Sequence, residues 1–216
     1  YSGHRPLRRN AHCDGAGGHA TVIIDILKAQ IEAGTSIQIK GFLDDSDKKE
    51  WMGYPILGTL SSALEFHDDK TEFIIAIGNN LIREMIQRKF SQLNFYTAIH
   101  PTAVIGTNVF IQDGTVVMPR VVINANSEVG RHVILNTASV VEHDNVINDY
   151  VHLSPGATLC GAVEVGAKSH IGANATVIQG ISIGEHCIIG AGSTVIDHIP
   201  QSSVAVGSPA KVIKKV

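Results

Sequence analysis

A six-residue hydrophobic period organises the second half of the chain. Steps of six from Ile105 reach an Ile, Val or Leu sixteen times in succession, ending at Val195. Helices repeat near 3.6 residues and ordinary strands at 2, so this period fits neither. It is typical of a parallel β-helix, in which three hexads make one triangular coil and the aliphatics stack inside. The repeating positions are Ile105, Ile111, Val117, Ile123, Val129, Leu135, Val141, Ile147, Leu153, Leu159, Val165, Ile171, Val177, Ile183, Ile189 and Val195.

Two further positions of the hexad support this prediction. The residue after the aliphatic is often Gly, and the fifth residue is small or β-branched, as at Ser127 and Ala157. Sixteen hexads give about five coils, more than the roughly three that a solenoid needs for stability. We therefore predict a left-handed parallel β-helix domain over residues 101–216, closed after Pro200 by a C-terminal cap.

The preceding segment, residues 15–100, has the pattern of a small α/β domain. Apolar strands are predicted over residues 37–43 and 73–77, and helices over residues 21–33 and 81–93. In the second helix the apolar residues have helical spacing, and the charges of Arg83, Arg88 and Lys89 are expected to face water. The sequence thus predicts a Rossmann-like N-terminal domain followed by the β-helix.

A glycine-rich turn, GAGGHA at residues 15–20, precedes the first predicted helix. Such a turn presents backbone N–H groups and the positive end of a helix to an anion, typically phosphate. Asp44 and Asp45 end one predicted strand, and Gly78 follows the other. Because open α/β sheets bind ligands at the carboxyl ends of their strands, these positions predict a nucleotide-type ligand. A solvated turn is the alternative for the two aspartates.

Residues 1–14 are basic and show no hydrophobic period. We expect an irregular tail there, as in a segment of non-native origin, and no strand.

The composition narrows the class of protein. Hydrophobic residues make up 44% of the chain and charged residues 17%, as in globular proteins. We see neither an apolar run of membrane-spanning length nor the apolar core of a signal peptide, so we expect a cytoplasmic protein without a membrane partner. A net charge of −3 gives no case for nucleic acid. The three cysteines lack CxxC spacing and argue against both a disulfide framework and a structural zinc site.

The clearest candidate for chemistry is His143, which lies between Glu142 and Asp144. A neutral histidine can accept a proton from an amine or hydroxyl near pH 7, and a carboxylate on its other ring nitrogen fixes the tautomer. Either neighbour could supply that carboxylate. As the third residue of its hexad, His143 is expected to point outward, either into solvent or into a cleft against a neighbouring chain.

Three other histidines lie in the repeat region, at His152, His170 and His186. Their spacing does not give the HxxxxH pair by which a trimeric hexapeptide carbonic anhydrase holds zinc, and no third ligand is evident. We therefore predict no metal site.

Several motifs together resemble a known family. They are GAGGHA, LDD (43–45), AIGNN (76–80), HPTAVIG (100–106), VILNTASVVEHD (133–144), HLSPGA (152–157) and GSPAK (207–211). From Gly15 to the C-terminus the chain resembles sugar O-acyltransferases of the sialic acid O-acetyltransferase type. Close relatives of that type are the UDP-4-amino-sugar N-acetyltransferases of bacillosamine synthesis and the perosamine N-acetyltransferases.

The resemblance implies an enzyme that uses acetyl-CoA, without a metal, as a homotrimer with active sites between subunits. His143 would be the general base, and Asp144 would raise its basicity. The implied acetyl-CoA contacts are Asn136, His152, Gly161, Ala173, Ala191 and Lys211. The implied nucleotide-sugar contacts are Gly17, Gly18, His19, Asp44, Asp45 and Gly78. Family members begin with an apolar strand where this chain has RRNAHCD, so we expect a weakened acceptor domain.

Three functions remain open at this point. The leading one is N-acetylation of a nucleotide-linked 4-amino-6-deoxy sugar in bacterial surface glycan synthesis, which the apparent nucleotide-binding domain favours. The second is O-acetylation of a sialic acid or another surface sugar. The third, of another class, is a non-catalytic trimeric β-helix scaffold, which would tolerate loss of His143.

Overall fold

The computed structural model describes residues 9–15 and 17–216, with residues 9–14 described as backbone only. The N-terminal domain is built on one five-stranded sheet in the order β3-β4-β2-β1-β5. Its strands are β1 (Arg9–Asp14), β2 (Ile37–Leu43), β3 (Glu50–Trp51), β4 (Tyr54–Gly58) and β5 (Thr71–Ile75). Its helices are α1 (Gly18–Glu32), a 3₁₀ helix (Leu60–Phe66) and α2 (Asn80–Lys89). This arrangement confirms the predicted Rossmann-like domain.

The expectation of an irregular tail is wrong for Arg9–Asp14. This segment is β1, the strand that pairs in parallel with both β2 and β5 inside the sheet. Backbone N–H and C=O groups make these pairings whatever the polarity of the side chains, so two flanking strands can order a segment that lacks an apolar pattern. The expected loss of the first strand therefore does not occur, while residues 1–8 lie outside the described part of the chain.

The remainder of the chain forms the predicted parallel β-helix. Its short strands are β6 (Ala98–Ile99), β7 (Val104–Ile105), β8 (Phe110–Ile111), β9 (Val116–Val117), β10 (Val122–Ile123), β11 (Glu128–Val129), β12 (Ile134–Leu135), β13 (Val140–Val141), β14 (Val146–Ile147), β15 (His152–Leu153), β16 (Thr158–Leu159), β17 (Glu164–Val165), β18 (His170–Ile171), β19 (Thr176–Val177), β20 (Ser182–Ile183), β21 (Ile188–Ile189) and β22 (Thr194–Val195). They form three parallel sheets, the faces of a triangular prism. The first face contains β7, β10, β13, β16, β19 and β22; the second contains β8, β11, β14, β17 and β20; the third contains β6, β9, β12, β15, β18 and β21. The β-helix thus begins at β6, slightly before the boundary predicted at residue 101.

The leading aliphatics of the hexads fill the prism. From Val117 to Val195 each is at most 1% exposed, whereas Ile105 in the first coil is 39% exposed. The hydrophobic period therefore identified the core correctly, except where the stack is open at its beginning. A hairpin of β23 (Ser203–Gly207) and β24 (Ala210–Lys215) extends the third face beyond β21 and forms the predicted cap.

The corners of the prism need a left-handed backbone at the fourth residue of the hexad. Asn108, Asn126, Asp144 and Ala162 have φ between +55° and +60° along one corner, and Gly180 continues it at +71°. Asn and Asp tolerate this conformation better than most side chains. The glycines that directly follow the aliphatic, such as Gly172, do not supply it, since they stand at the second position of the hexad.

Glycine is needed at this second position because the backbone of the next coil passes too close to leave room for a side chain. A Cβ built on Gly172 would lie 2.5 Å from the backbone nitrogen of Ala191. We expect Gly172→Ala to lower the free energy of unfolding by about 1–3 kcal/mol, as overpacking does. Gly180→Asn is the control, because nothing lies within 4 Å of its Cβ position and its corner already accepts Asn. Urea denaturation of both variants checks this, and equal stabilities would contradict it.

The expectation that the charges of α2 all face water is wrong for Arg83. Its side chain is 1% exposed and lies between the helix and the β-helix domain, whereas Leu81 and Met85 are 48% and 62% exposed. The apolar spacing found Ile86 and Phe90 correctly as buried residues but gave no signal for an arginine used as an interior donor. Within the described chain no helix has the length and apolar character needed to cross a membrane.

Candidate active site

His143 and Asp144 form the predicted histidine–carboxylate pair at one corner of the β-helix. The Nδ1 atom of His143 lies 2.8 Å from Oδ2 of Asp144, and the two side chains are 61% and 52% exposed. Glu142 instead accepts a hydrogen bond from Asn124 at 2.9 Å. The structure thus assigns Asp144, and not Glu142, as the group that orients the imidazole.

A ladder of side chains along the same corner holds Asp144. Asn126 donates to its other oxygen, Oδ1, at 3.1 Å, and Asn108 donates to Asn126 at 3.3 Å. The hydrogen bonds from His143 and Asn126 lower the pKa of Asp144 below its ordinary value. The carboxylate therefore stays ionised and keeps a proton on Nδ1 of His143, which leaves Nε2 free to accept one.

The backbone under His143 is fixed from inside the prism by two residues to which the sequence interpretation gave no role at the site. Asn145 and Ser127 are both fully buried. Asn145 donates to the carbonyl groups of Glu142 and Cys160, and Ser127 donates to the carbonyl of Glu142 at 2.9 Å. The signal in the sequence was a polar residue at the fifth, inward position of a hexad.

Gly161 lies one coil further on, directly under the imidazole. A Cβ on Gly161 would be 2.7 Å from Cε1 and 2.8 Å from Nε2 of His143. The structure therefore brings Gly161 together with His143 and Asp144, and only glycine leaves the ring in this position.

We expect Gly161→Ala to displace the imidazole and to lower kcat by about tenfold or more, because small misplacements of a reacting group are costly. The His143 ring is exposed and can move aside, so the midpoint of urea denaturation should be unchanged. Steady-state kinetics and denaturation of the same variant check both expectations. Wild-type kcat in Gly161→Ala would show that the ring position observed here is unimportant.

Asn136 and His152 form a second group, on the third face of the prism. The Nδ2 atom of Asn136 lies 3.2 Å from Nε2 of His152. The ring of His152 stacks on that of His170 one coil further on, with 4.7 Å between ring centroids, and Ser154 bonds His170 at 2.7 Å. Burial, and then the charges of His170, Arg83 and His19, lower the pKa of His152 to about 3. His152 is therefore neutral at physiological pH.

The predicted nucleotide-sugar residues surround the carboxyl ends of β1, β2 and β5. Gly15 donates to the carbonyl of Leu43 at 2.8 Å and has φ of +107°, which favours glycine. A cavity of about 240 Å³ opens here, lined by Gly15, Leu43, Asp44, Asp45, Ser46, Leu60 and Ile77. Asp44 accepts from the backbone of Ser46, and Asp45 from that of Leu60, both at 2.9 Å. Asp44 and Asp45, two of the predicted contacts, therefore line this cavity and also hold the backbone around it.

The amino end of α1 completes this region. Gly17 is the N-cap residue of the helix, and a Cβ on Gly17 or Gly18 would have nothing within 4 Å. His19 is more enclosed, and burial with the charge of Arg83 lowers its pKa to about 4. The open space over the two glycines permits close approach of a ligand to backbone N–H groups.

The remaining predicted acetyl-CoA residues lie at two corners. Ala173 and Ala191 lie at the corner that follows the third face, next to the column of Asn136, and the carbonyl of Ala173 accepts from Gly192 at 2.8 Å. Lys211, in the C-terminal hairpin, pairs with Asp197 at 3.2 Å, and Asp197 stands at the corner of His143 and Gly161. One protomer therefore carries two groups of predicted site residues, separated by one side of the prism.

A separate cavity of about 1010 Å³ lies between the two domains, and its lining includes Lys70, Arg131 and His132. None of the predicted site residues lines it. The described chain contains no cluster of three His, Cys, Asp or Glu residues arranged to hold a metal ion.

Fold and site together define a two-domain transferase of the hexapeptide-repeat class. The PglD N-terminal domain family matches residues 14–90, and the bacterial transferase hexapeptide family (six repeats) matches residues 162–197. The chain is 33% identical over 156 residues to GDP-perosamine N-acetyltransferase of Escherichia coli O157:H7, which covers 70% of each protein. It therefore belongs to the family of hexapeptide-repeat N-acetyltransferases that includes this enzyme.

Other relatives agree with this assignment. UDP-N-acetylbacillosamine N-acetyltransferase of Bacillus subtilis is 39% identical over 117 residues, or 51% of each chain. The acetyltransferase domain of PglB from Neisseria gonorrhoeae, solved with acetyl coenzyme A, is 34% identical with a TM-score of 0.89, covering 95% of this chain and 100% of that one. PerB of Caulobacter crescentus, solved with CoA and GDP-perosamine, is 34% identical with a TM-score of 0.87, covering 95% and 97%.

Proposed function

We propose that the protein transfers the acetyl group of acetyl-CoA to the amino group of a nucleotide-linked 4-amino-6-deoxy sugar. The observation that carries the proposal is the His143–Asp144 pair, held at 2.8 Å on the outside of a hexapeptide coil. Relatives whose names state N-acetylation of GDP-perosamine and of a UDP-linked bacillosamine sugar support the acceptor class. A histidine-to-asparagine variant of the Caulobacter crescentus enzyme was solved with CoA and GDP-perosamine.

In the proposed reaction, the neutral amine of the sugar attacks the thioester carbonyl carbon directly. A C–N bond forms, the amine proton passes to Nε2 of His143, and the imidazolium pairs with the Asp144 carboxylate. Collapse of the tetrahedral intermediate breaks the C–S bond, and the leaving CoA sulfur takes a proton back from the imidazolium. The products are the N-acetyl sugar nucleotide and CoA, without a covalent enzyme intermediate.

The other site residues hold the substrates. The backbone of Gly161 donates to the thioester oxygen as charge develops on it. Asn136, His152, Ala173, Ala191 and Lys211 bind acetyl-CoA. Gly17, Gly18, His19, Asp44, Asp45 and Gly78 bind the nucleotide-sugar, with its phosphates at the amino end of α1.

The enzyme acts as a homotrimer with its active sites between subunits. His143 and Gly161 lie at one corner of the prism, whereas Asn136 and His152 lie across one of its sides. A corner of one copy against the face of another would join the two groups into one site, which explains why a catalytic imidazole is 61% exposed in one chain. We place the reaction in the cytoplasm, in the synthesis of bacterial surface glycans.

A thiol-release assay tests the function. Acetyl-CoA is supplied with UDP-linked 4-amino-4,6-dideoxy-N-acetylhexosamines, GDP-perosamine or sialic acid, and the mass of the product locates the acetyl group. CoA release with an amino-sugar nucleotide confirms the proposal. Release with sialic acid only would instead show O-acetylation of the sialic acid O-acetyltransferase type, and failure to bind acetyl-CoA would favour the scaffold.

A further inference from the structure

Arg83 connects the two domains through all of its hydrogen-bond donors. A guanidinium group has five N–H bonds, and the structure gives Arg83 five carbonyl partners. On the N-terminal domain, Nη1 donates to the carbonyl groups of Ile77 at 3.2 Å and Gly78 at 2.9 Å. On the β-helix, Nε donates to the carbonyl group of His132 at 3.1 Å. Nη2 donates to the carbonyl groups of Tyr150 at 2.9 Å and Val151 at 3.4 Å.

The connection joins the segment after β5 to two successive coils. Residues 77–80 leave the sheet of the N-terminal domain, and His132 and Tyr150 occupy equivalent corners of neighbouring coils. Asn80 adds a second tie, since its side chain donates to the carbonyl groups of Lys168 at 2.9 Å and Ser169 at 3.1 Å, one coil further on. Three consecutive coils thus fix the position of this short segment.

The same segment lies beside residues of both substrate groups. Arg83 joins the carbonyl group of Gly78, a predicted nucleotide-sugar contact, to that of Val151, the residue directly before His152, a predicted acetyl-CoA contact. The charge of Arg83 also reaches His19 and His152 and lowers the pKa of both. Arg83 is therefore placed to control how the acceptor domain stands over the β-helix without touching either substrate itself.

We propose that Arg83 is a positioning residue for acetyl transfer, which sets the Gly78 segment against His152 so that the sugar nucleotide is bound in reach of the acetyl group. This inference rests on the proposed function. It assigns to a buried arginine a role in acceptor binding that differs from a general contribution to stability.

Kinetics of Arg83→Lys and Arg83→Met test the proposal. A lysine keeps a charge but has three donors on one nitrogen and cannot span both domains; a methionine removes the charge as well. With the amino-sugar nucleotide that the wild type uses, both variants should raise the acceptor KM by about tenfold or more while the KM for acetyl-CoA stays unchanged. A mere loss of folded enzyme would lower kcat and leave both KM values alone, and that result would overturn the proposal.

Arg88→Met is the matched control, because Arg88 is on the same helix, is 74% exposed and pairs only with Glu84 among the described residues. It should change neither KM. If circular dichroism shows that both Arg83 variants are unfolded, Asn80→Ala, which cuts the second tie and keeps the arginine, must show the same acceptor-specific effect. Wild-type KM values in that variant would then reject the proposal.

One readout separates this proposal from the function on which it rests. Calorimetric titration with UDP and GDP needs no turnover, and the nucleotide that binds the wild type should bind Arg83→Met and Arg83→Lys more weakly. A wild type that binds nucleotide but acetylates nothing would refute the function alone; unchanged nucleotide binding in both variants would refute the positioning role alone.

Discussion

Replacing His143 with alanine is expected to lower kcat by about 10²–10⁴-fold, the usual contribution of a general base. The substitution removes the side chain that lies 2.8 Å from Asp144 and has a second nitrogen free to accept a proton. Because the imidazole is largely exposed, the fold should be unaffected. Affinity for acetyl-CoA should also persist, since the base is not needed to hold the thioester. Thiol-release kinetics and calorimetric titration with CoA measure the two effects separately.

The neighbouring carboxylates provide matched controls. Asp144→Asn keeps the shape of the side chain and suits the left-handed backbone at φ of +60°, so a loss of activity there reports the missing charge. Glu142→Gln changes a carboxylate that faces Asn124 instead of the imidazole, and it should leave kcat near the wild-type value. A His143→Ala enzyme with undiminished kcat, or a Glu142→Gln enzyme as damaged as Asp144→Asn, would refute the assigned base pair.

Acid is expected to destabilise the protein steeply between about pH 6.5 and pH 4. Burial is the main reason that the pKa of His19 and of His132 falls to about 4 and that of His152 to about 3. In the unfolded chain these histidines titrate near 6.5. Their contribution to stability is therefore complete above that pH and is lost as the pH falls toward their folded values, where the unfolded state binds more protons.

The size of the effect follows from linkage. Each such histidine changes the free energy of unfolding by about 1.4 kcal/mol per pH unit inside this window, so three give about 4 kcal/mol per unit. Urea denaturation at pH 7.5, 6 and 5 measures the slope. An unchanged midpoint across this range would contradict the prediction.

His132→Phe tests the origin of the slope. The ring of His132 stacks on Tyr150 with 5.6 Å between centroids and meets Phe95 edge-on at 4.6 Å, so a phenyl ring can occupy the site without titrating. This variant should reduce the slope by the share of one histidine, about 1.4 kcal/mol per pH unit. The control His67→Gln replaces an exposed loop residue and should leave the slope unchanged.

The β-helix was predictable because its signal is strictly local. One aliphatic in every six residues fixes which side chains enter the prism, and the structure buries them from Val117 onward. The pair of His143 and Asp144 was predictable for the same reason, since adjacent residues at a known hexad position must share a corner. β1 was missed because its order comes from β2 and β5, which lie more than twenty residues away, and RNAHCD carries no apolar pattern of its own.

Arg83 and Asn145 show the limit for the site. The five carbonyl groups that accept hydrogen bonds from Arg83 are spread along the sequence from Ile77 to Val151, and no spacing rule connects them. Asn145 stands at an inward position where the pattern expects a small or β-branched residue, and its partners become evident only once the coils are stacked. The sequence pattern identifies groups that act on a substrate more readily than groups that hold other protein atoms in place.

Strand pairing in the prism follows one constant offset, with Val122 beside Val140 and Val140 beside Thr158. A whole coil of eighteen residues is consequently the natural unit of length change. Insertion or deletion of one such unit keeps every column of side chains at its own corner and moves the cap by one strand spacing, about 4.8 Å along the axis. A change whose length is not a multiple of eighteen moves all later residues out of their columns, so the β-helix can lengthen or shorten only in discrete steps if each corner is to keep its residues.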